Sequence, residues 1–226
     1  MVLVHGAGNT AGVWASVQAL LSCRSVAVNL PGRRDRVAGI ADVALEDAVG
    51  SIIADVDALA PGPLVLVGHS AGGILLPQLA ARWADRLQHM VFVAGLCAPH
   101  GEKVVSTVRP HAVAEFASRL AVLREKFRDC MLDPAPTVAG MRAIDEATAL
   151  GIDSLNYMDQ PVSWEGVPAV PRTFVRCLRD RIQPRPLQEQ LISNCGASRV
   201  VDLDSGHTPA LSAPKDLARA LNSLAS

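Results

Sequence analysis

A chain of 226 residues, half of them hydrophobic, is long enough to bury one large core and short for two. Its formal charge of -1 leaves no basic stripe for phosphates, which argues against nucleic acid as a partner. The five cysteines are odd in number and scattered, with no CxxC pair and no metal-ligand spacing, and they read as free thiols of a reducing cytoplasm. Met1 leads straight into VLVHG with no basic n-region, and the apolar stretches are shorter than a membrane span, so the expectation is a soluble, cytoplasmic chain without membrane contact.

In chain order, residues 1–4, 25–29, 64–67, 89–94, 173–178 and 199–203 are short runs rich in Val, Leu or Phe, the pattern of buried parallel strands. Between them the apolar residues take helical spacing. Val13, Val17, Leu20 and Leu21 form one stripe, and Leu45, Val49, Ile52, Val56 and Leu59 a second. Leu75, Leu79 and Ala80 form a third, and Leu217, Leu221 and Leu224 the last. Strand then helix, repeated, predicts an α/β fold with a mostly parallel sheet flanked by helices, its core built from residues 1–95 and 171–226. Residues 96–170 break the rhythm. They have no strand signal, and helices are expected at 113–126 and 136–149, so this span reads as an inserted helical cap over the carboxyl ends of the strands.

The stretch LVGHSAGGIL places three glycines within six positions around Ser70. A buried strand that turns into a helix within three residues forces its corner into positive φ and requires small neighbours. Ser70 is that corner, and Gly68 and Gly72 are the neighbours. The G-x-S-x-G spacing lifts a hydroxyl above the sheet and sets the amide of Ala71 where a developing oxyanion would lie. A plain Gly-rich connection is the alternative, and the strand and helix flanks argue against it. Pro77 falls inside the helix expected after Ser70 and should bend it.

A serine hydroxyl needs a base, and the base needs an orienting partner. His207 lies in a short Gly-containing loop after the last strand, within reach of the sheet top, and is the expected base. His69 is expected to point away and pack, His5 to sit in the first loop, and His89 to begin a strand. His100 and His111 belong to the cap. For the carboxylate, Asp180 follows the strand TFVRCL at the same sheet edge, with Asp202 and Asp204 as rivals next to the strand leading to His207. The second oxyanion donor is expected from the first loop, VLVHGAG, where the amide of Ala7 is best placed. That loop could belong to a dinucleotide fold, yet GAGNTAG lacks the third glycine and no acidic residue ends SVAVN. Neither a cofactor nor a metal site is expected.

With these motifs in hand, the chain resembles the α/β-hydrolase superfamily nearly end to end. VLVHGAGNTAGVW, VLVGHSAGG, VRCLRDRIQPRPLQEQLI and VVDLDSGHTPALSAP are similar to the small methylesterase and hydroxynitrile-lyase-like branch. The resemblance implies Ser70 as nucleophile, His207 as base, Asp180 as its partner, and Ala7 with Ala71 as oxyanion amides. The lyases of that branch carry threonine after the first-loop histidine and lysine after the catalytic histidine. Gly6 and Thr208 stand there in this chain, which favours ester hydrolysis. Dehalogenases and epoxide hydrolases of the fold have aspartate where Ser70 stands. Gly8 replaces a bulkier residue of the branch, implying a more open pocket mouth. Tyr157 and Trp164 are candidate pocket liners or, equally, cap packing.

The expected function is therefore cofactor-free hydrolysis of a small to medium apolar carboxylic ester or lactone through an acyl-enzyme, with a small-molecule substrate as partner and neither nucleic acid nor membrane. The same three residues could instead serve elimination, cyclisation or acyl transfer on a metabolic intermediate, depending on whether water is excluded. A ligand receptor built on this fold is the reading from another class.

Overall fold

Among the described residues, short runs rich in β-branched and aliphatic side chains form six strands, each buried on both faces when it lies inside the sheet. They are β1 (Val2–Val4), β2 (Val26–Val28), β3 (Leu64–His69), β4 (Leu87–Val93), β5 (Arg172–Cys177) and β6 (Arg199–Leu203). In the computed structural model, which describes residues 1–32, 43–59, 61–110, 114, 117–118, 121–122 and 152–224, every strand pairing is parallel. The order is β2-β1-β3-β4-β5-β6. The chain thus starts in the middle of the sheet, goes to one edge, and returns to build outward from the other side of β1. Consecutive elements diverge between β1 and β3, where open sheets of this kind form their ligand crevice.

The period of two along each strand sends alternate side chains into two separate cores. On one face Val2, Val4, Leu64, Leu66, Met90, Phe92 and Phe174 join Leu45, Val49, Ile52 and Val56 of α2 (Leu45–Leu59). On the other, Leu3, Val65, Val67, Val91, Val93 and Val175 meet Trp14 and Val17 together with Leu217 and Leu221. Val17 belongs to α1 (Ala15–Gln18), entered through a tight turn over Ala11–Trp14. Leu59, expected on the buried stripe of α2, is exposed at its carboxyl end.

The glycines around Ser70 are required by crowding. A Cβ at Gly72 would fall 2.6 Å from the carbonyl oxygen of His5 and 2.7 Å from that of Val4, and one at Gly68 would fall 2.8 Å from the carbonyl oxygen of Gly72. Both obstacles are backbone and cannot rotate away. Gly72→Ala is expected to destabilise the fold by about 3 kcal/mol, read as a lowered urea midpoint with unchanged slope.

Residues Ser70–Leu75 form a 3-10 turn rather than the first turns of an α-helix, and α3 (Leu76–Arg82) begins only afterwards. This corrects the expectation for Pro77. It lies in the first turn of α3, where its missing N–H has no intrahelical acceptor to lose, so it starts the helix and does not bend it.

In the span 96–170, α4 (Val104–Val108) and α5 (Ile152–Met158) flank an antiparallel bridge between Lys103 and Pro161. Neither helix was expected, being shorter than two full turns. The helix predicted at 136–149 lies outside the described residues, as does most of that at 113–126 and all of His111. Leu96, Cys97, Ala98, Val104, Tyr157 and Val162 pack into the same core as the sheet, and α5 lies against the turn carrying Ser70. The chain continues through α6 (Arg185–Cys195), α7 (Pro209–Ser212) and α8 (Pro214–Asn222). Among the described residues no helix is long and apolar enough to cross a membrane.

Candidate active site

β3 ends at His69, and the next residue, Ser70, turns the chain with φ of 49°. A non-glycine residue is held there at a cost of roughly 1–3 kcal/mol, met by surrounding contacts. One is the bond from the Leu96 N–H to the Ser70 carbonyl at 2.8 Å. The hydroxyl therefore stands at the carboxyl end of the central strands.

Two loops converge on it. His207 Nε2 lies 2.9 Å from Ser70 Oγ, and His207 Nδ1 lies 2.7 Å from Asp180 Oδ2. A buried carboxylate accepts, so Nδ1 carries the proton and Nε2 presents its lone pair to the serine hydroxyl. The other carboxylate oxygen accepts the N–H groups of Ile182 at 2.8 Å and Gln183 at 2.9 Å. Burial alone would raise the Asp180 carboxyl, but the hydrogen bonds from His207 and the Gln183 and Ile182 amides outweigh it and hold the group below its ordinary value. Asp180 is ionised and fully bonded.

The rival carboxylates are engaged elsewhere. Asp202 accepts Arg176 through both oxygens, and Asp204 pairs with Arg179 at the surface. Arg179 also laces the two loops together, its N–H donating to the Ser205 carbonyl at 2.9 Å and its guanidinium to that of Asp204 at 2.7 Å.

Sequence reasoning missed Gln188. Its buried amide accepts the Cys177 N–H and donates to the carbonyls of Cys177 and Gln183, each at 2.9 Å, bracing both ends of the loop that carries Asp180. The only signal was a glutamine on the inner face of α6, beside the apolar Leu191 and Cys195.

Ala7 and Ala71 lie on the two segments that touch at the turn carrying Ser70. Ala71 directly follows Ser70, and Ala7 follows Gly6, whose Cβ, if present, would fall 2.8 Å from Ser70 Cβ. His5 fixes the first loop. Its Nε2 accepts the Leu30 N–H, which assigns the proton to Nδ1, and Nδ1 donates to the Gly6 carbonyl at 2.9 Å. Tyr157 is fully buried with the core side chains around Ile74 and Leu75. Trp164 donates its indole N–H to the Ala98 carbonyl and carries the Arg172 guanidinium 4.4 Å above its ring. His100 accepts the Trp164 N–H, and His89 lies inside β4, where it bonds Thr173.

His69 does more than pack. Its Nε2 lies 2.8 Å from the His207 carbonyl, and burial, reinforced by the charge of His207, lowers its pKa to about 4, against smaller opposing effects of that bond and of Asp180. The unfolded chain binds this proton near pH 6.5 and the folded one only near 4, so stability is complete above pH 6.5 and falls by about 3 kcal/mol towards pH 4. Urea midpoints at neutral pH and at about pH 4.5 will show this loss, and His69→Gln will reduce it.

Among the described residues the buried thiols, Cys97, Cys177 and Cys195, offer no competing nucleophile. Burial pushes Cys177 and Cys195 up to about 11 and Cys97 well above the ordinary range. Among the described residues no group of three His, Cys, Asp or Glu side chains is placed to hold a metal ion.

Compared with known proteins, residues 1–220 match the profile of the alpha/beta hydrolase family. The chain belongs to that family. This hydrolase is 27% identical to a pyrethroid hydrolase of Sphingobium wenxiniae over 247 residues, covering 98% of this chain and 85% of the relative. It is 26% identical to methylesterase 2 of Arabidopsis thaliana over 250 residues, covering 99% and 95%. The crystal structure of the pyrethroid hydrolase PytH superposes with a TM-score of 0.74 at 25% identity, covering 99% of this chain and 96% of that one. In the company of these relatives the hydrolase is a carboxylic ester hydrolase of the methylesterase-like branch.

Proposed function

We propose that this hydrolase is a cofactor-free serine esterase for a small to medium apolar carboxylic ester or lactone. The observation that carries the reading is the row Ser70–His207–Asp180, bonded at 2.9 and 2.7 Å with the acceptor nitrogen facing the hydroxyl.

In the reaction, Ser70 Oγ attacks the ester carbonyl carbon while its proton passes to His207 Nε2. The carbonyl oxygen becomes an oxyanion, held by the N–H groups of Ala7 and Ala71. The C–O bond to the leaving group breaks, and the departing alkoxide takes the proton from His207. An acyl group remains on Ser70. Water then attacks this acyl-serine, giving its proton to Nε2, and the second oxyanion collapses to release the acid and return the proton to Ser70 Oγ. Asp180 stays ionised throughout and stabilises the imidazolium that forms twice per turnover. No step draws on a metal, a redox group or a protein partner. Residues 96–170 act as the cap that shapes the acyl and alcohol pockets. Ester hydrolysis agrees with the relatives named pyrethroid hydrolase and methylesterase.

The test is intact-protein mass spectrometry after a fluorophosphonate, followed by a panel of methyl, acetyl and p-nitrophenyl esters and lactones with purified chain alone. One adduct per chain and acid release without any added cofactor are expected. An unlabelled native chain, or labelling without turnover of any ester, overturns the reading in favour of a receptor or a non-hydrolytic reaction.

A further inference from the structure

We propose that His69 is a positioning residue: its Nε2–H holds the peptide of His207 so that the neighbouring imidazole meets Ser70. The inference rests on the reading of Ser70 and His207 given above.

His69 is the last residue of β3, directly before Ser70, so its place is fixed by the middle of the sheet. Its Nε2 lies 2.8 Å from the His207 carbonyl oxygen. A carbonyl only accepts, so this nitrogen carries the proton. The ring's other nitrogen faces the first loop. A Cβ at Gly6 would fall 3.0 Å from Nδ1, so the imidazole fills the space between the loop carrying Ala7 and the loop carrying His207. The ring is clamped sideways as well, 5.1 Å from the His207 ring and edge-on to the buried Trp14 at 6.4 Å.

The base loop needs such a strut. Arg179 holds Asp204 and Ser205, and the first turn of α7 holds the Thr208 carbonyl. Between them stands Gly206, whose carbonyl accepts the Ser205 hydroxyl at 3.1 Å, and the backbone freedom of a glycine there leaves the His207 peptide in need of a hold of its own. The bond from His69 fixes the His207 peptide itself.

The choice of imidazole follows from the charge that catalysis creates. His207 becomes positive in each half-reaction, and a charged donor 5 Å away would oppose it. Burial keeps His69 neutral while leaving Nε2–H available. Glutamine is the other neutral side chain that brings a donor to the same distance. Leucine brings none, and the amide of asparagine ends where Nδ1 stands, short of the carbonyl.

The experiment measures kcat, KM and thermal midpoint on p-nitrophenyl acetate for the native chain, His69→Leu, His69→Asn, His69→Gln and His207→Ala. In His69→Leu and His69→Asn a fall in kcat of about 100-fold with KM changed less than about threefold is expected, the size of a misplacement near 1 Å. His69→Gln is expected to recover most of that kcat. If His69→Leu does not fold, His69→Asn decides. Native kcat in either variant, or equal kcat in the asparagine and glutamine variants, overturns the proposal. His207→Ala separates the two readings: full activity there sinks the base assignment, whereas its inactivity beside an active His69→Asn sinks only the role of His69.

Discussion

Ser70→Ala will lower kcat for ester hydrolysis by about 10⁶-fold while leaving the fold intact, because the methyl group fills the same corner and nothing else in the site can accept the acyl group. The buried thiols among the described residues are protonated far above neutrality, and Asp180 is already saturated with hydrogen bonds, so no neighbouring nucleophile stands in for the lost hydroxyl. The measurement is initial rate at saturating p-nitrophenyl ester, with far-UV circular dichroism on the same sample. Residual activity within about tenfold of native would place the attacking group elsewhere, since even partial loss of such a constellation costs several powers of ten.

Asp180→Asn should cost about 10⁴-fold in kcat with little change in KM, through a single misplaced proton. The amide oxygen of asparagine can still accept the Ile182 and Gln183 N–H groups, which keeps the loop in place. Its NH₂ then faces His207 Nδ1 and donates to it, so the imidazole proton moves to Nε2. That nitrogen is 2.9 Å from Ser70 Oγ and must be bare to serve as base. Raising the pH will not rescue the variant, because the neutral ring is held in the wrong tautomer. Asp202→Asn is the contrast. Its carboxylate binds Arg176 at the surface, and near-native kcat is expected.

Much of this architecture was legible because the signals are local. The inner strands β1 and β3 announce themselves as aliphatic runs, being covered on both faces, and Ser70 is betrayed by glycines that backbone crowding makes obligatory. Asp180 was harder. It and its rivals all follow or border strands, and the arginines that occupy Asp202 and Asp204 are a matter of side-chain pairing that spacing does not encode. Pro77 misled because periodicity does not distinguish a 3-10 turn from the opening of an α-helix. His69 and Gln188 escaped notice for one reason. Each acts through main-chain groups brought close only by the folded sheet, one reaching 138 residues along the chain and the other 11.

The strand order has a consequence for the order of synthesis. The strands carrying Ala7 and Ser70 leave the ribosome early, whereas Asp180 and His207 follow β5 and β6, the last two strands to emerge. A growing chain that has made its first four strands already possesses the serine, but its hydroxyl is an ordinary alcohol. On the proposed mechanism, reactivity arrives only when the docking of β6 brings in His207, 137 residues beyond Ser70, so a partly made polypeptide carries no activated nucleophile towards the esters around it.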